Sequence, residues 1–301
     1  MQKFFTLLII TLISSSLKLN AQVDIIGSEN YGILQDLSYD ISVENRIFAT
    51  TVTNHIVVSN DNGATWEVFY AFKTKTGNIK DLKVYDKDHL SFFMHNDAKG
   101  IYLLDIKTKE IAKKFTLPEI EGTDFSWIDS YDIDSKNSDI ILANQMYKEG
   151  YKNKSKVYYT EDAGKNWNMV YFSDDHDKRS INRLAISPEK TGKLVLGLGL
   201  GPEEIDGGIL ISEDKGTTWA ETLTGSACGA IEFDPKDPTH IIMGTGIMHG
   251  SDVEEALFNS NDGGKTWVKV EGLTFTDFTS DCIKGIKFSK KDDNIVYAIE
   301  Y

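Results

Sequence analysis

The chain is poor in the residues that staple or break a fold. Two cysteines in 301 residues leave no room for a disulfide-rich scaffold. Five prolines stand beside 24 glycines, so turns needing positive φ are frequent, which suits many short strands better than a helical bundle. Cations are also scarce, 32 Lys and Arg against 46 Asp and Glu, for a formal charge of -14. Such a surface repels polyanions, which argues against nucleic acid and anionic membranes as partners. Long apolar runs are missing too. The one candidate, Phe4 to Ile13, is too short to span a bilayer comfortably, and no other segment could. What remains, 41% hydrophobic residues, is enough for a sizeable core.

That short apolar run follows Lys3 and leads to the small residue Ala21, the pattern of a secretory signal peptide over residues 1–21. Its removal leaves residues 22–301 with no membrane span and still fewer positive charges. The mature protein is expected to be secreted, whether extracellular, periplasmic or on the cell surface. The sequence does not set its oligomeric state.

Internal repetition organises the rest. "SNDNGATW" ends at Trp66, "TEDAGKNW" at Trp167, "SEDKGTTW" at Trp219 and "SNDGGKTW" at Trp267. The last three tryptophans are about 50 residues apart and the first gap is twice that, so a copy without the motif should lie between. "IYLLDIKTKEIAKKF" from Ile101 fits that place. A second phrase keeps the same period: "LSYDISVENRIFAT" from Leu37, "LKVYDKDHLSFFM" from Leu82, "YDIDSKNSDIILAN" from Tyr131, "LAISPEKTGKLVLGL" from Leu184, "IEFDPKDPTHIIMGT" from Ile231 and "IKFSKKDDNIVYAIE" from Ile286. Each period reads as two strands joined by an Asp/Pro/Lys turn, a third strand, the octapeptide, and a fourth strand opening at tryptophan. Four strands per period predict an all-β propeller of four-stranded antiparallel blades, five full repeats plus a partial sixth. The chain stops two strands into that sixth repeat, and "VDIIG" from Val23 is a candidate edge strand for it.

The octapeptide resembles the Asp box, or BNR repeat, of sialidases, sortilin-type receptors and xyloglucanase-type glycoside hydrolases, whose form is SxDxGxTW. Ser59, Asp61, Gly63 and Trp66 match it. So do Ser212, Asp214, Gly216 and Trp219, and Ser260, Asp262, Gly264 and Trp267. Thr160 replaces the serine in the copy with Asp162, Gly164 and Trp167. Chemically the box reads as a staple: Ser and Asp side chains can bond their own hairpin, Gly supplies positive φ, and Trp packs between sheets. One carboxylate per box is too few hard ligands for calcium, so no metal and no cofactor is expected. The resemblance implies that ligands are met on the opposite face or in the central channel.

On that opposite face the sequence places three long loops, "NQMYKEGYKNKS" from Asn144, "GLGPEEIDGG" from Gly199 and "GIMHGSDVEEA" from Gly246. Candidate catalytic carboxylates are Asp129, Glu203 and Asp206. Candidate binding residues are Trp127, which could stack on a sugar ring, with His176, Glu204, His249 and Asp252. In a chain this acidic, carboxylates share a surface by chance, and lone loop histidines are usually solvated. A sialidase needs three clustered arginines. The chain has only Arg46, Arg179 and Arg183, with Arg46 in a turn on the Asp-box side, and the Phe-Arg-Ile-Pro signature is absent. A xyloglucanase-like site is weakened by the lack of a glycine-rich aspartate in the first blade. Cys228 and Cys282 open equivalent strands of neighbouring repeats with opposite parity, which favours a disulfide in an exported protein. The expectation is an extracellular binding module for a peptide or glycan, with a glycoside hydrolase as the alternative.

Overall fold

A computed structural model describes residues 5–11, 21–26, 31, 34–40, 42–73, 78–95, 99–123, 125–174, 179–188, 192–199, 207–245, 256–273, 283–288 and 295–300. Every regular element among them is a strand. The first two are β1 (Phe5–Thr11) and β2 (Ala21–Ile26). Then come five consecutive groups of four. Blade 1 is β3 (Leu34–Tyr39), β4 (Ile47–Thr51), β5 (His55–Ser59) and β6 (Glu67–Ala71); blade 2 is β7 (Asn78–Val84), β8 (His89–His95), β9 (Gly100–Asp105) and β10 (Ile111–Phe115). Blade 3 is β11 (Ser126–Ile133), β12 (Ile141–Glu149), β13 (Lys152–Thr160) and β14 (Asn168–Ser173); blade 4 is β15 (Ile181–Ile186), β16 (Leu194–Leu198), β17 (Gly208–Ser212) and β18 (Ala220–Thr222). Blade 5 is β19 (Cys228–Phe233), β20 (Ile241–Thr245), β21 (Leu257–Ser260) and β22 (Val268–Lys269). Each group is an antiparallel sheet with its strands in chain order, and the five form a β-propeller. The segment from Ile101, which lacks the octapeptide, does supply a third and fourth strand, β9 and β10.

The burial pattern explains why the middle strands read as unbroken apolar runs. β4, β16, β17 and β20 are buried along their whole length, because both faces of a blade are covered by neighbouring blades. The core therefore lies between blades. Phe48 and Ile56 of blade 1 pack with Leu90 and Phe92 of blade 2. Phe93 and Ile101 pack with Ile128 and Ile141 of blade 3, and Leu142 and Val157 with Leu194 and Leu196 of blade 4. Val195 and Ile209 pack in turn with Ile231 and Met243 of blade 5. Two glycines in second strands allow the closest approach. A Cβ on Gly197 would sit 2.3 Å from Cys228 Sγ, and one on Gly244 would sit 2.5 Å from Ile283 Cγ2.

β23 (Ile283–Phe288) and β24 (Ile295–Glu300) lie in a further four-stranded sheet, in the order β2-β1-β24-β23. β2, which contains Val23 to Ile26, takes its edge, but β1 stands between it and β24, paired from Thr6↔Glu300 to Thr11↔Ile295. Among the described residues no helix is long and apolar enough to cross a membrane.

One sequence expectation is corrected here. The segment from Asn144 is not a long irregular loop. β12 continues to Glu149 and β13 restarts at Lys152, paired residue for residue down to Glu149↔Lys152. The turn has two central residues, Gly150 and Tyr151, and Gly150 takes φ 63° there. Lys, Asn and Gly look like loop formers, but unbroken cross-strand bonding decides the matter.

Candidate ligand face and axial channel

The Asp boxes come first, because they show which rim is structural. In the first box, Ser59 Oγ donates to Asp61 Oδ1 at 2.7 Å and accepts the Gly63 N–H at 2.7 Å. Asp61 accepts the Thr65 N–H at 2.8 Å and the Thr65 hydroxyl at 2.5 Å. The Ser212, Thr160 and Ser260 boxes repeat this closed circuit, with Asn166 standing in for the threonine in the second. These bonds stabilise the carboxylate form. The Thr65 hydroxyl and N–H hold Asp61 down to about 2, the Asn166 N–H and amide do the same for Asp162, and the Thr266 hydroxyl and N–H for Asp262. Every box hairpin also bonds the first turn of its own blade: Asn62 N–H to Asn45 O, Ala163 N–H to Asp139 O, Lys215 N–H to Gly192 O and Gly263 N–H to Thr239 O. Blade 2 keeps the same bond, Ile106 N–H to Asp88 O, without the motif. The box hairpins are thus ranked on one rim.

The box tryptophans are half-buried rather than sealed in the core. Three indole N–H groups stitch blades together, Trp167 donating to Thr116 O at 3.0 Å, Trp219 to Val170 O at 3.0 Å and Trp267 to Thr222 Oγ1 at 3.0 Å, whereas Trp66 donates to Gly63 O of its own box at 3.1 Å. In each box the Ser or Thr hydroxyl and both Asp carboxylate oxygens are bonded within the box.

The first strands carry the chemistry. β3 lies beside β7, β11 beside β15, and β15 beside β19, so these strands line the axis. Each has a register break near its start: Leu34/Leu37 in β3, Lys80/Lys83 in β7, Ile128/Ser130 in β11, Ile181/Arg183 in β15 and Cys228/Ala230 in β19. A bulge re-aims side chains, and Asp36, Asp81 and Asp129 fall within these breaks. Asp81 takes φ 52°, a strained value for a side-chain-bearing residue. Its N–H donates to Asp36 Oδ2 at 2.8 Å.

Two tiers result. Nearer the Asp-box rim stand Lys83, Asp132, Glu232 and Lys287. Lys287 Nζ donates to both Glu232 oxygens at 2.7 Å, and Lys83 lies 3.4 Å from Asp81 and 3.6 Å from Asp132. Burial pushes the Asp132 and Glu232 pKa values up, against the pull of the lysines. Burial would lower Lys83, but Asp81, Asp132 and Glu232 outweigh it, and its pKa ends above the ordinary lysine value. This tier is ion-paired, with Lys83 also reaching Asp81 of the next tier, and braces the inner strands.

The tier nearer the opposite face holds Asp36, Asp81 and Asp129, with Arg183 as counter-charge. Burial pushes Asp129 up to about 6; Arg183 pulls it down and Asp81 pushes it up further. Burial and Asp81 likewise raise Asp36. Directly beyond Asp129, Trp127 forms an aromatic group with Phe125, 5.1 Å between ring centroids, and with His95 of blade 2, 6.2 Å away. Phe125 is 47% exposed. Burial holds the His95 pKa below the usual value, helped by Lys80 and Lys99, so the ring is neutral near pH 7.

Of the candidates named from sequence, Trp127 and Asp129 both lie in β11, Trp127 before its register break and Asp129 within it. Glu203, Glu204, Asp206, His176, His249 and Asp252 lie outside the described residues. Cys228 is buried, with Sγ 3.6 Å from Ala230 O, and Cys282 lies outside the described residues. Sequence reasoning missed Asp36, Asp81, Phe125 and His95. The arginines are dispersed as expected for Arg46, which pairs with Asp40 in its turn, while Arg179 reaches Glu221 at 2.6 Å and Arg183 faces the channel. Among the described residues no group of three or more His, Cys, Asp or Glu is placed to hold a metal ion.

Comparisons with known proteins agree with this architecture. The family model for Sortilin-Vps10 (sortilin, neurotensin receptor 3) matches residues 155–300. No curated protein sequence matches the chain at a significant level. Among solved structures, YCF48 from Cyanidioschyzon merolae is 14% identical over 97% of this chain and 95% of that chain, with a TM-score of 0.55. YCF48 bound to a D1 peptide is 12% identical over 94% and 81%, with a TM-score of 0.52. An ancestral GH74 enzyme is 15% identical over 79% of this chain and 31% of that chain, with a TM-score of 0.53. Identities this low establish the fold alone. The chain is an Asp-box β-propeller, similar over residues 155–300 to the Sortilin-Vps10 family.

Proposed function

We propose that this propeller is an exported binding module that takes a peptide across the channel mouth, on the face opposite the Asp boxes. The observation that carries the reading is the aromatic group of Phe125, Trp127 and His95 at the start of β11, two residues ahead of the raised carboxyl of Asp129 in the same strand. Aromatic anchors beside a few polar groups are what a recognition pocket needs. Export rests on the leader-like residues 1–21, whose cleavage would take β1 out of the β2-β1-β24-β23 sheet, and one structurally similar protein was solved with a peptide bound. The test is a peptide array run beside a glycan array. Trp127→Ala should weaken capture of a selected peptide by about tenfold or more while leaving the melting temperature within a degree or two. Retention on glycans alone would move the reading to a glycan binder, and unchanged peptide affinity in the variant would remove the channel mouth as the site.

A second reading has one observation in its favour. A carboxyl held near 6 can donate a proton at neutral pH, and Asp129 could do so to a glycosidic oxygen, with Asp81 as the neighbouring carboxylate. Turnover of a polysaccharide panel, lost in Asp129→Asn, would establish the enzyme; no turnover on any member would leave the binding module.

A further inference from the structure

The β12–β13 hairpin departs from the plan of the other blades. Both of its strands are nine residues long, whereas β4, β5, β16 and β17 have five. Its start at Ile141 is level with theirs, so the surplus stands out on the face opposite the Asp boxes, by about 13 Å at the usual rise per residue. At its tip Tyr151 is fully exposed, with a relative exposure of 105%. Nothing in the fold calls for a tyrosine there.

The charge on this hairpin also runs against the rest of the molecule. Lys152, Lys154 and Lys156 occupy alternate positions of β13 and share one face with Gln145, Tyr147 and Glu149 of β12, their cross-strand partners. Lys156 lies over the Tyr147 ring at 5.3 Å, and Lys154 pairs with Glu149. Phe172 of β14, 42% exposed, is opposite Lys156 on the same face. A fourth lysine joins from blade 2, where Lys99 Nζ donates to Ser126 Oγ at 3.3 Å, and Ser126 is the partner of Tyr147. Among the described residues, Glu149 and Asp174 stand against these four cations, Asp174 being close enough to Lys154 to raise its pKa. In a chain of 32 basic and 46 acidic residues, this is a local reversal of sign.

We propose that this face, with Tyr151 as its outer anchor, docks an extended acidic peptide segment. The spacing selects that occupant. Alternate residues of a strand are about 6.6 Å apart, and carboxylates at alternate residues of an extended peptide repeat at the same distance, so Lys152, Lys154 and Lys156 can be met in register. The exposed Phe172 ring provides apolar contact beside the charges, and the buried Tyr147 ring supports Lys156 from beneath. The hairpin is tied to the channel mouth, because Thr123 Oγ1 donates to Lys148 O at 3.1 Å and Lys148 N–H to Phe125 O at 3.4 Å. The inference rests on the peptide-binding reading but uses different residues.

The probe is a synthetic peptide of about twelve residues alternating Glu and Thr, with Tyr at one end, titrated by fluorescence anisotropy at low and high salt against the full chain. Binding that weakens with salt and falls about tenfold or more in K152E/K154E/K156E, yet survives in K152R/K154R/K156R, is the expected result. Circular dichroism and melting curves confirm that both variants fold, and K152Q/K154Q/K156Q serves if the charge reversal does not. Equal affinity in the reversed variant overturns the proposal, as does no binding of the probe at low salt. If polygalacturonate binds more tightly than the peptide and is lost in the same variant, the peptide assignment falls. Capture of array-selected peptides that depends on Trp127 but not on these lysines overturns the hairpin site and leaves the channel-mouth reading standing.

Discussion

At the residue scale, the molecule separates groups that are fully spent on structure from groups held in an uncomfortable state. The Asp-box carboxylates are the first kind: each gains several hydrogen bonds in the ionised form, which lower Asp214 and hold Asp61, Asp162 and Asp262 at about 2, where a free aspartate sits near 4. Asp129 is the second kind, raised to about 6 by burial. A carboxyl whose folded pKa exceeds its unfolded value favours the fold below the unfolded value, and that advantage is lost as pH rises through about 6. Asp129→Asn should therefore be level with wild type at about pH 3 and be more stable by about 1 to 2 kcal/mol at pH 8, after allowing for the partial exposure of the side chain to the channel. Melting curves at the two pH values check this; an equal offset at both would show that charge is not the cause. Trp219 makes the complementary point. Its ring is half-buried against Tyr171, 5.9 Å between centroids, and its N–H bonds the neighbouring blade, so Trp219→Ala should cost about 2 to 3 kcal/mol, less than a sealed core aromatic.

At the element scale, the first and second strands of successive blades set both the closeness of packing and the shape of the channel. Gly197→Ala places a methyl 2.3 Å from Cys228 Sγ and should destabilise the β16–β19 contact by about 1 to 3 kcal/mol, read as a lower denaturant midpoint; an unchanged midpoint would mean the two strands have room to part. The elements differ in how far the sequence reveals them. The Asp boxes are legible because every bond in the box is made within eight residues, and the period follows from them. Trp127 and Asp129 are legible because "SWIDSY" marks the start of an inner strand. The bulges at Asp36 and Asp81 are not, since a register break exists only relative to the partner strand. His95 and Phe125 belong to the site through contacts between blades, which no local pattern carries. The β12–β13 hairpin was hidden by its Lys, Asn and Gly content, which imitates a loop while its alternation continues the strands.

At the scale of the whole molecule, the two faces of the propeller have different tasks. On one rim, hairpins close on themselves and bond the adjacent turn in blade after blade, including blade 2, where the motif has been lost but the bond from Ile106 to Asp88 remains. Inside the channel, the lysines and carboxylates of the lower tier neutralise one another and hold the inner strands in place. Toward the other face the Phe125, Trp127 and His95 rings, the raised carboxyls of Asp36 and Asp129 and a projecting basic hairpin gather. The measurement that bears most directly on this division is the affinity of an array-selected peptide for Trp127→Ala and for Trp219→Ala, determined by calorimetry well below both melting transitions. The account predicts about a tenfold or greater loss for Trp127→Ala and wild-type affinity for Trp219→Ala. Weakened binding in Trp219→Ala, with Trp127→Ala unaffected, would contradict it.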